Sequence, residues 1–217
     1  MLSRENLLRS LLVALVISVS VSALAAAPEV QTIGPITATV PAAVKAALSE
    51  TGYRVTADGA VAEIWPAKNA LSGKNGSSSA LYPDFPDGGF FGVINFPNGA
   101  GDFRGQKIPA GTYTLRYQLL PGDGNHMGVA PNPDFFLLVP AEADPGPTDK
   151  IPYNILVKLS AKASGAAHPA AFSLATAGPK CPGAANDEAG HLVATIPIRI
   201  GSATIPVGII VKGSAEQ

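Results

Sequence analysis

The clearest pattern of hydrophobic and polar positions lies between residues 107 and 140. Apolar and polar side chains alternate through residues 112–119, and this period of two predicts a strand with one buried and one solvated face. The apolar positions are Tyr113, Leu115, Tyr117 and Leu119. Residues 135–139 form an unbroken apolar run, which predicts a strand covered on both faces. A polar loop, residues 121–133, joins the two predicted strands.

Similar patterns predict further strands along the chain. Asp58-Gly59 separates two segments of strand-like composition, residues 53–56 and 60–65, and this dipeptide is a strong signal for a tight hairpin turn. Residues 90–96 form a second apolar run, which predicts a buried strand. The remaining predicted strands cover residues 30–39, 170–174, 192–200 and 204–211. Pro35 places the first of these at a sheet edge, because proline cannot donate a hydrogen bond to a ladder.

Two segments have the spacing of short helices. The first begins with Pro41, which suits a first helical turn, and ends with Gly52, which suits a left-handed C-terminal position. The second begins near Pro152 and ends before Gly165. Its apolar residues at helical spacing are Ile155, Leu156, Leu159 and Ala163. We expect both helices to lie at the periphery.

The order of these elements predicts a mainly β fold. Turn-forming segments border each central strand, which favours antiparallel neighbours over parallel strands joined by crossover helices. With 23 Gly and 20 Pro, the chain has the composition of short strands and tight turns. We therefore predict an antiparallel β-sandwich, jelly-roll-like, with about eight to ten strands and two short peripheral helices.

The first residues have the layout of a secretory signal peptide. Arg4 and Arg9 precede an apolar run, residues 11–17, and small residues follow up to Ala25. The apolar run is shorter than the roughly 20 residues that span a bilayer, so we expect cleavage after Ala25 rather than a membrane anchor. The sequence thus predicts a signal peptide (1–25), a single β-sandwich domain (26–217) and a periplasmic or extracellular location, with no membrane span after cleavage.

Charge and cysteine content limit the expected partners. Residues 26–217 contain 13 basic and 15 acidic residues, a net charge of −2, without a basic cluster. Nucleic acid is therefore not an expected partner. Cys181 is the only cysteine of the chain, so no intramolecular disulfide can form. We expect no cofactor.

Four sequence blocks resemble a group of exported bacterial proteins of unknown function. The blocks are TGYRVTADGAVAEIW (51–65), RGQKIPAGTYTLRY (104–117), GDGNHMGVAPNPDFFLLVPA (122–141) and KLSAKASGAAHPA (158–170). This resemblance covers most of the chain after the predicted signal peptide. It implies an exported β-sandwich protein and assigns no functional residue, because the group has no established activity to carry over.

The residues that could carry chemistry form no recognisable motif. The candidate metal ligands of a blue-copper type are His126, His168, Cys181, His191 and Met127, but their order along the chain does not match such a site. A zinc or calcium site at His126 and Asp123 is a more open hypothesis, although the segment lacks the carboxylate spacing of a calcium loop. These side chains can equally form hydrogen bonds within a turn. The sequence also lacks a nucleophile-elbow signature.

Two groups of residues are candidates for ligand binding. The first lies in and directly after the loop between the two central strands, and comprises Asp123, Asn125, His126 and Asp134. The second is Tyr82 and Phe85, in a turn-rich segment where exposed aromatic rings could stack on a sugar. We therefore predict an exported, non-enzymatic protein that binds a small-molecule, glycan or protein ligand, with carbohydrate as one candidate. The alternative is a hydrolase or metal-dependent enzyme with its site around residues 121–134.

Overall fold

Strands dominate the described part of the protein. The computed structural model describes residues 27–57, 59–103, 105–122, 130 and 132–213. In chain order, the strands are β1 (Glu29–Ile33), β2 (Gly52–Ala57), β3 (Ala60–Pro66), β4 (Phe90–Phe96), β5 (Ala100–Gly101), β6 (Lys107–Ile108), β7 (Gly111–Leu119), β8 (Asp134–Pro140), β9 (Ala171–Ala175), β10 (Gly183–Asn186), β11 (Leu192–Ile200) and β12 (Ala203–Lys212). The helices are α1 (Ala42–Ala47) and α2 (Tyr153–Ser164), and a short 3-10 helix (Ala141–Ala143) follows β8.

Ten strands form one antiparallel sheet in the order β1-β2-β3-β4-β7-β8-β9-β12-β11-β10. Strands β5 and β6 pair separately with each other. The two ends of the large sheet approach each other, because β11 lies close to β2 and β3, and β10 lies close to β1. The sheet is therefore nearly barrel-shaped. The predicted mainly β, antiparallel class with two helices is confirmed, whereas a sandwich or jelly-roll arrangement is not.

Strand β7 lies near the middle of the sheet and is buried on both faces. The residues that face the interior core are Tyr113, Leu115 and Tyr117, as their alternation predicts. The prediction that the opposite face is solvated is wrong, because Thr114 and Arg116 are fully buried and Gln118 is 8% exposed. Two segments from later in the chain, residues 141–151 and helix α2, cover this outer face.

Several other strands match their predicted positions. Strands β2 and β3 form the predicted hairpin, with Val55 opposite Ala62. Strand β4 coincides with the predicted residues 90–96 and is buried except at Asn95. Strand β8 is buried from Asp134 to Val139, as its continuous apolar run predicts. Strand β10 is not predicted, because its residues show no apolar alternation.

Helix α2 confirms the predicted second helix and its end. Gly165 follows it in a left-handed conformation, with φ +65° and ψ +11°, which glycine adopts without steric cost. The buried residues of the helix are Leu156, Ser160 and Ala163. Ile155, predicted on the apolar face, is instead 45% exposed. The buried stripe of the helix is therefore narrower than its sequence indicates.

Helix α1 is shorter than predicted and ends before Gly52. Gly52 is the first residue of β2, and not part of a helix end. It lies against the Trp65 ring, where a Cβ atom would be 2.4 Å from the indole Nε1. The same Nε1 donates a hydrogen bond to the Gly34 carbonyl at 2.9 Å. Because Gly52 has no side chain, the backbone of β2 can pack closely against the Trp65 ring.

Strand β8 separates two hydrophobic cores. Inside the curled sheet, Phe136 and Leu138 belong to the main core, which also contains side chains from β2, β3, β4, β7, β9, β11 and β12. On the outer face, Leu137 and Val139 pack with Leu156 of α2 in a smaller cluster. This double coverage explains the unbroken apolar sequence of β8.

The predicted signal peptide lies outside the described residues and stays a prediction, as does the assignment of residues 26–217 to a single domain. In the part of the chain that the structure describes, no helix is both long enough and apolar enough to cross a membrane.

Candidate functional site

The predicted ligand-binding residues separate into three groups. Asp123, Asn125 and His126 lie outside the described residues, so their role stays a prediction. Asp134 begins strand β8 and is fully buried. Tyr82 and Phe85 lie in the segment that precedes β4.

The Asp134 carboxylate attaches this segment to the sheet. Its Oδ2 accepts a hydrogen bond from the backbone N–H of Leu81 at 2.9 Å, and its Oδ1 accepts one from the backbone N–H of Tyr82 at 3.1 Å. The Tyr117 hydroxyl also donates to Oδ1, at 2.7 Å. Three donors compensate the buried carboxylate for its lost hydration. These three contacts explain the burial of Asp134 by a structural role, without a bound ligand.

Tyr82 and Phe85 present no exposed surface for stacking. Tyr82 is 9% exposed and Phe85 is fully buried, so the expectation that these rings are exposed is wrong. The Phe85 ring lies 5.0 Å from the Tyr82 ring and 4.2 Å from the Phe91 ring, measured between centroids. The hydrogen bonds to Asp134 hold the segment against the sheet, so its aromatic rings extend the main core.

The Tyr82 hydroxyl also bridges two strands of the sheet. It donates to the Ala175 carbonyl at 2.8 Å and accepts from the Gly208 N–H at 2.9 Å. Ala175 and Gly208 are opposite each other in the pairing of β9 with β12, which has two paired positions. Burial is the main cause that raises the pKa of Tyr82, and the negative charge of Asp134 adds to it. Tyr82 therefore keeps its hydroxyl proton at the point where β9 and β12 have only two paired positions.

Arg116 is the centre of a buried polar cluster on the outer face of β7. Its side chain and that of Asp144 are both 0% exposed, and they form a two-point ion pair with Nε–Oδ2 at 2.9 Å and Nη2–Oδ1 at 2.5 Å. The remaining guanidinium N–H groups donate to the carbonyls of Gly88, Gly146 and Asp149. All five guanidinium donors are thus paired.

The partner carboxylate of Arg116 is equally well paired. Asp144 Oδ2 accepts from the Thr114 hydroxyl at 2.5 Å, and Oδ1 accepts from the Gly146 N–H at 2.9 Å. The guanidinium carbon lies 5.3 Å from the centroid of the Phe90 ring, within range of a cation–π interaction. Because every charged group has protein partners, this cluster joins β7 to the segment after β8 and has no free polar atom for a ligand.

Gln118 lies two residues further along the same face of β7 and is poorly paired. Its Nε2 is 3.4 Å from the Leu119 carbonyl, and its Oε1 has no hydrogen-bond partner among the described residues. Turning the amide over would leave a buried donor unpaired and would place the oxygen against a carbonyl. A buried polar atom without a partner costs about 1–3 kcal/mol. Gln118 therefore requires a further explanation.

Gln118 lines a small cavity, which we term the loop-base cavity. It lies between the end of β7, the outer faces of β8 and β9, and helix α2, and its volume is about 60 Å³. Its apolar walls include Pro121, Phe135, Leu137, Val157 and Ala171. Pro121 is also the first residue of the polar loop that the sequence singled out. The cavity is thus at the base of the predicted functional loop.

Tyr153 and His168 supply the other polar side chains of the loop-base cavity. Tyr153 is the first residue of α2 and is 46% exposed. His168 is partly buried, with Nδ1 3.4 Å from the Pro169 carbonyl. The lining therefore combines a residue whose amide oxygen is buried without a partner among the described residues, apolar walls and an aromatic ring that is accessible to solvent.

The candidate metal ligands do not come together in the part of the chain that is described. There, no group of three His, Cys, Asp or Glu side chains could hold a metal ion. His191 Nδ1 lies 2.9 Å from Asp187 Oδ2. Cys181 is a free and exposed cysteine. The hypothesis of a metal at His126 and Asp123 stays a prediction.

Sequence patterns did not single out Gln118, Tyr153 or His168 as a group. Gln118 is on the polar face of an alternating strand, which is typical of a solvated residue. Only the packing of α2 on the sheet buries this face and brings the three residues together. A polar side chain at a strand end beside a long loop is the sole sequence signal.

Comparisons with family models, with curated proteins and with solved structures give no match to this chain. The resemblance to a group of exported bacterial proteins therefore stays a prediction.

Proposed function

We propose that the protein is exported and, without enzymatic activity, binds a small hydroxyl-bearing ligand such as a sugar or another polyol at the loop-base cavity. The observation that carries this proposal is the buried Gln118 Oε1, which has no donor among the described residues although it belongs to a residue that lines a cavity. The predicted signal peptide supports the extracytoplasmic location.

The chemistry of the cavity favours a neutral ligand that donates a hydrogen bond. An amide oxygen accepts hydrogen bonds and cannot donate them, so the ligand must supply an O–H or N–H group. Among the described residues, the lining contains no carboxylate to pair with an ammonium group. A hydroxyl suits the site because it can donate to the Gln118 amide oxygen.

The size of the cavity limits what can enter it. A volume of about 60 Å³ holds roughly two water molecules, at about 30 Å³ each. A hydroxymethyl group has a similar size, so one arm of a sugar or polyol enters while the rest stays outside. The exposed Tyr153 ring then offers an apolar surface for the sugar face. In this proposal, Tyr153 takes the stacking role that the sequence predicts for Tyr82 and Phe85.

The loop between β7 and β8 supplies the remaining contacts in this proposal. Pro121 lines the cavity and begins the loop, so the next polar residues along the chain are suited to hydroxyl groups outside the cavity. These residues are Asp123, Asn125 and His126.

The proposal is tested by titrating the protein, without its signal peptide, with glycerol, glucose and N-acetylglucosamine. Two-dimensional NMR would follow the side-chain amide of Gln118 and the ring of Tyr153. Binding should shift both sets of signals in a saturable manner. The Gln118→Met variant removes the acceptor and should abolish the shift of the Tyr153 ring, whereas Gln31→Met, at an exposed position of β1, should retain both sets of shifts.

Three results would contradict the proposal. Absence of any saturable shift with all three compounds would show that water alone satisfies Gln118. Equal binding by the Gln118→Met variant would place the ligand elsewhere. Appearance of cleaved or altered sugar during the titration would contradict the non-enzymatic part and favour the hydrolase alternative.

A further inference from the structure

A second cavity lies at the opposite end of the curled sheet. Strand β7 begins opposite Phe96, at the Phe96–Gly111 pair, and ends at Leu119, which lines the first cavity. Phe96 lines the second cavity, which we term the barrel-end cavity, and whose volume is about 150 Å³. The two cavities are therefore separated by the length of β7 and do not share a lining residue.

The inner wall of the barrel-end cavity is made of hydrocarbon side chains. It consists of Val55, Ala62, Phe96, Leu192 and Val211, each of them at most 6% exposed. The pocket opens to solvent on the other side, where its lining includes Gly99 and Ala100 of the turn after β4 and Lys212 at the end of β12. Ala62, the smallest side chain of this wall, lies opposite Val55 in the pairing of β2 with β3. The pairing of β11 with β12 also shifts register at Leu192, beside the cavity.

This wall offers no side-chain hydrogen bond to a buried water. Apolar cavities of about 150 Å³ bind molecules such as benzene or xenon, and this pocket has a similar volume. The one buried side-chain polar atom without a partner in the described residues is Gln118 Oε1, which belongs to the other cavity. The barrel-end cavity therefore has the size and chemistry of a site for an apolar molecule.

We propose that the barrel-end cavity is a second ligand site, which takes a small apolar molecule of about the size of benzene. Filling it restores the dispersion contacts that its wall residues lack. The site differs in chemical class from the loop-base cavity, since it excludes hydroxyl-bearing ligands that would lose their hydrogen bonds on entry.

Benzene and xenon are the probes for this site. Titration of the methyl-labelled protein should shift the methyl signals of Val55, Leu192 and Val211 in a saturable manner and should raise Tm. Ala62→Leu fills the cavity and should abolish both effects. Ala43→Leu, at an exposed position of helix α1, is the matched control and should keep them. Leu192→Ala enlarges the cavity and should shift the preference from benzene towards larger alkylbenzenes.

Several outcomes would overturn the proposal. These are an absence of saturable methyl shifts at benzene saturation, or shifts spread equally over exposed methyl groups. If Ala62→Leu does not fold, the Leu192→Ala variant tests the proposal instead. An unchanged preference between benzene and larger alkylbenzenes in this variant would also contradict the proposed site. Failure here is distinguishable from failure of the loop-base site, because glycerol should not shift these methyl signals and Gln118→Met should not alter benzene binding.

Discussion

Arg116 and Gln118 lie two residues apart on the same outer face of strand β7, both buried, yet their polar atoms have opposite surroundings. The Arg116 guanidinium uses all five donors on one carboxylate and three carbonyls. The Gln118 amide has one long contact, and its oxygen has no partner among the described residues. The difference arises from what covers each residue: the segment after β8 supplies partners to Arg116, while α2 and β8 surround Gln118 with apolar side chains.

Buried polar side chains thus have two different roles on this face of β7. A fully paired buried cluster stabilises one arrangement of the chain, and removing one member leaves charges unpaired. An unpaired buried atom costs stability and calls for an occupant such as a ligand or a water molecule. The same strand face therefore carries a structural cluster at one end and a candidate binding site at the other.

The largest expected effect comes from Arg116→Met. We expect it to lower the free energy of unfolding by about 3–5 kcal/mol, because Asp144 would remain as an uncompensated buried charge. Arg54→Met is the matched control, since Arg54 pairs with Glu63 at 2.7 Å but is 43% exposed. The control should cost less than about 1 kcal/mol. Chemical denaturation measures both changes.

A double variant sharpens this test. Arg116→Met combined with Asp144→Leu removes both charges, which is often neutral for an isolated buried pair. Here it should remain destabilising, because three backbone carbonyls also lose their donor. Full recovery of stability in the double variant would show that the carbonyl contacts contribute nothing.

The inner face of the same strand is tested by Leu115→Ala. Leu115 is 1% exposed in the main core, so the cavity left by the truncation should cost about 2–5 kcal/mol. Thermal and chemical denaturation should agree on this loss. A cost below 1 kcal/mol would mean that the core collapses around the smaller side chain.

Thr114→Ala tests whether the polar face of β7 is truly buried. Thr114 is fully buried and donates to Asp144, so we expect a loss of about 1–3 kcal/mol rather than the near-zero effect of a solvated threonine. Thr32→Ala, at an exposed position of β1, is a suitable control with little expected effect. Equal stabilities of the two variants would contradict the burial of this face.

Alkaline pH tests the polar contact on the inner face of β7. Burial first, and then the hydrogen bond and charge of Asp134, raise the pKa of Tyr117 above its ordinary value of 10.0. A pKa raised on folding contributes stability that is complete below the unfolded pKa and is lost as pH rises above it. The free energy of unfolding should therefore fall above about pH 10. The fall should be shallower in Tyr117→Phe, and identical slopes would contradict this assignment.

The smallest change in stability is expected for Gln118→Met. The substitution keeps the approximate size of the side chain and removes the unpaired amide, so stability without ligand should be unchanged or higher by up to about 1 kcal/mol. Denaturation in buffer free of polyols measures this. A loss of more than 1 kcal/mol would mean that Gln118 contributes to the fold as Arg116 does, and the contrast between the two residues would disappear.

The candidate site could be predicted from the sequence only in part. The sequence predicts a candidate site in the polar loop after β7, and one residue of that loop, Pro121, lines the loop-base cavity. Tyr82 and Phe85 were assigned to the surface because their segment is rich in turn-forming residues. Their burial depends on Asp134, which is about fifty residues away in the chain and holds the segment against the sheet.

Sequence alone determined the elements whose signals are local. The alternation in β7, the hydrophobic run of β8, the hairpin at residues 58–59 and the end of α2 at Gly165 each depend on neighbours within a few positions. Only the tertiary structure decided which faces are buried, because helix α2 and residues 141–151 come from later in the chain and cover a strand face that looks solvated. Closure of the sheet into a near-barrel, the pairing of Arg116 with Asp144 and the unpaired oxygen of Gln118 all follow from such long-range packing. A periodic pattern records the polarity of a side chain but does not record what another segment places against it.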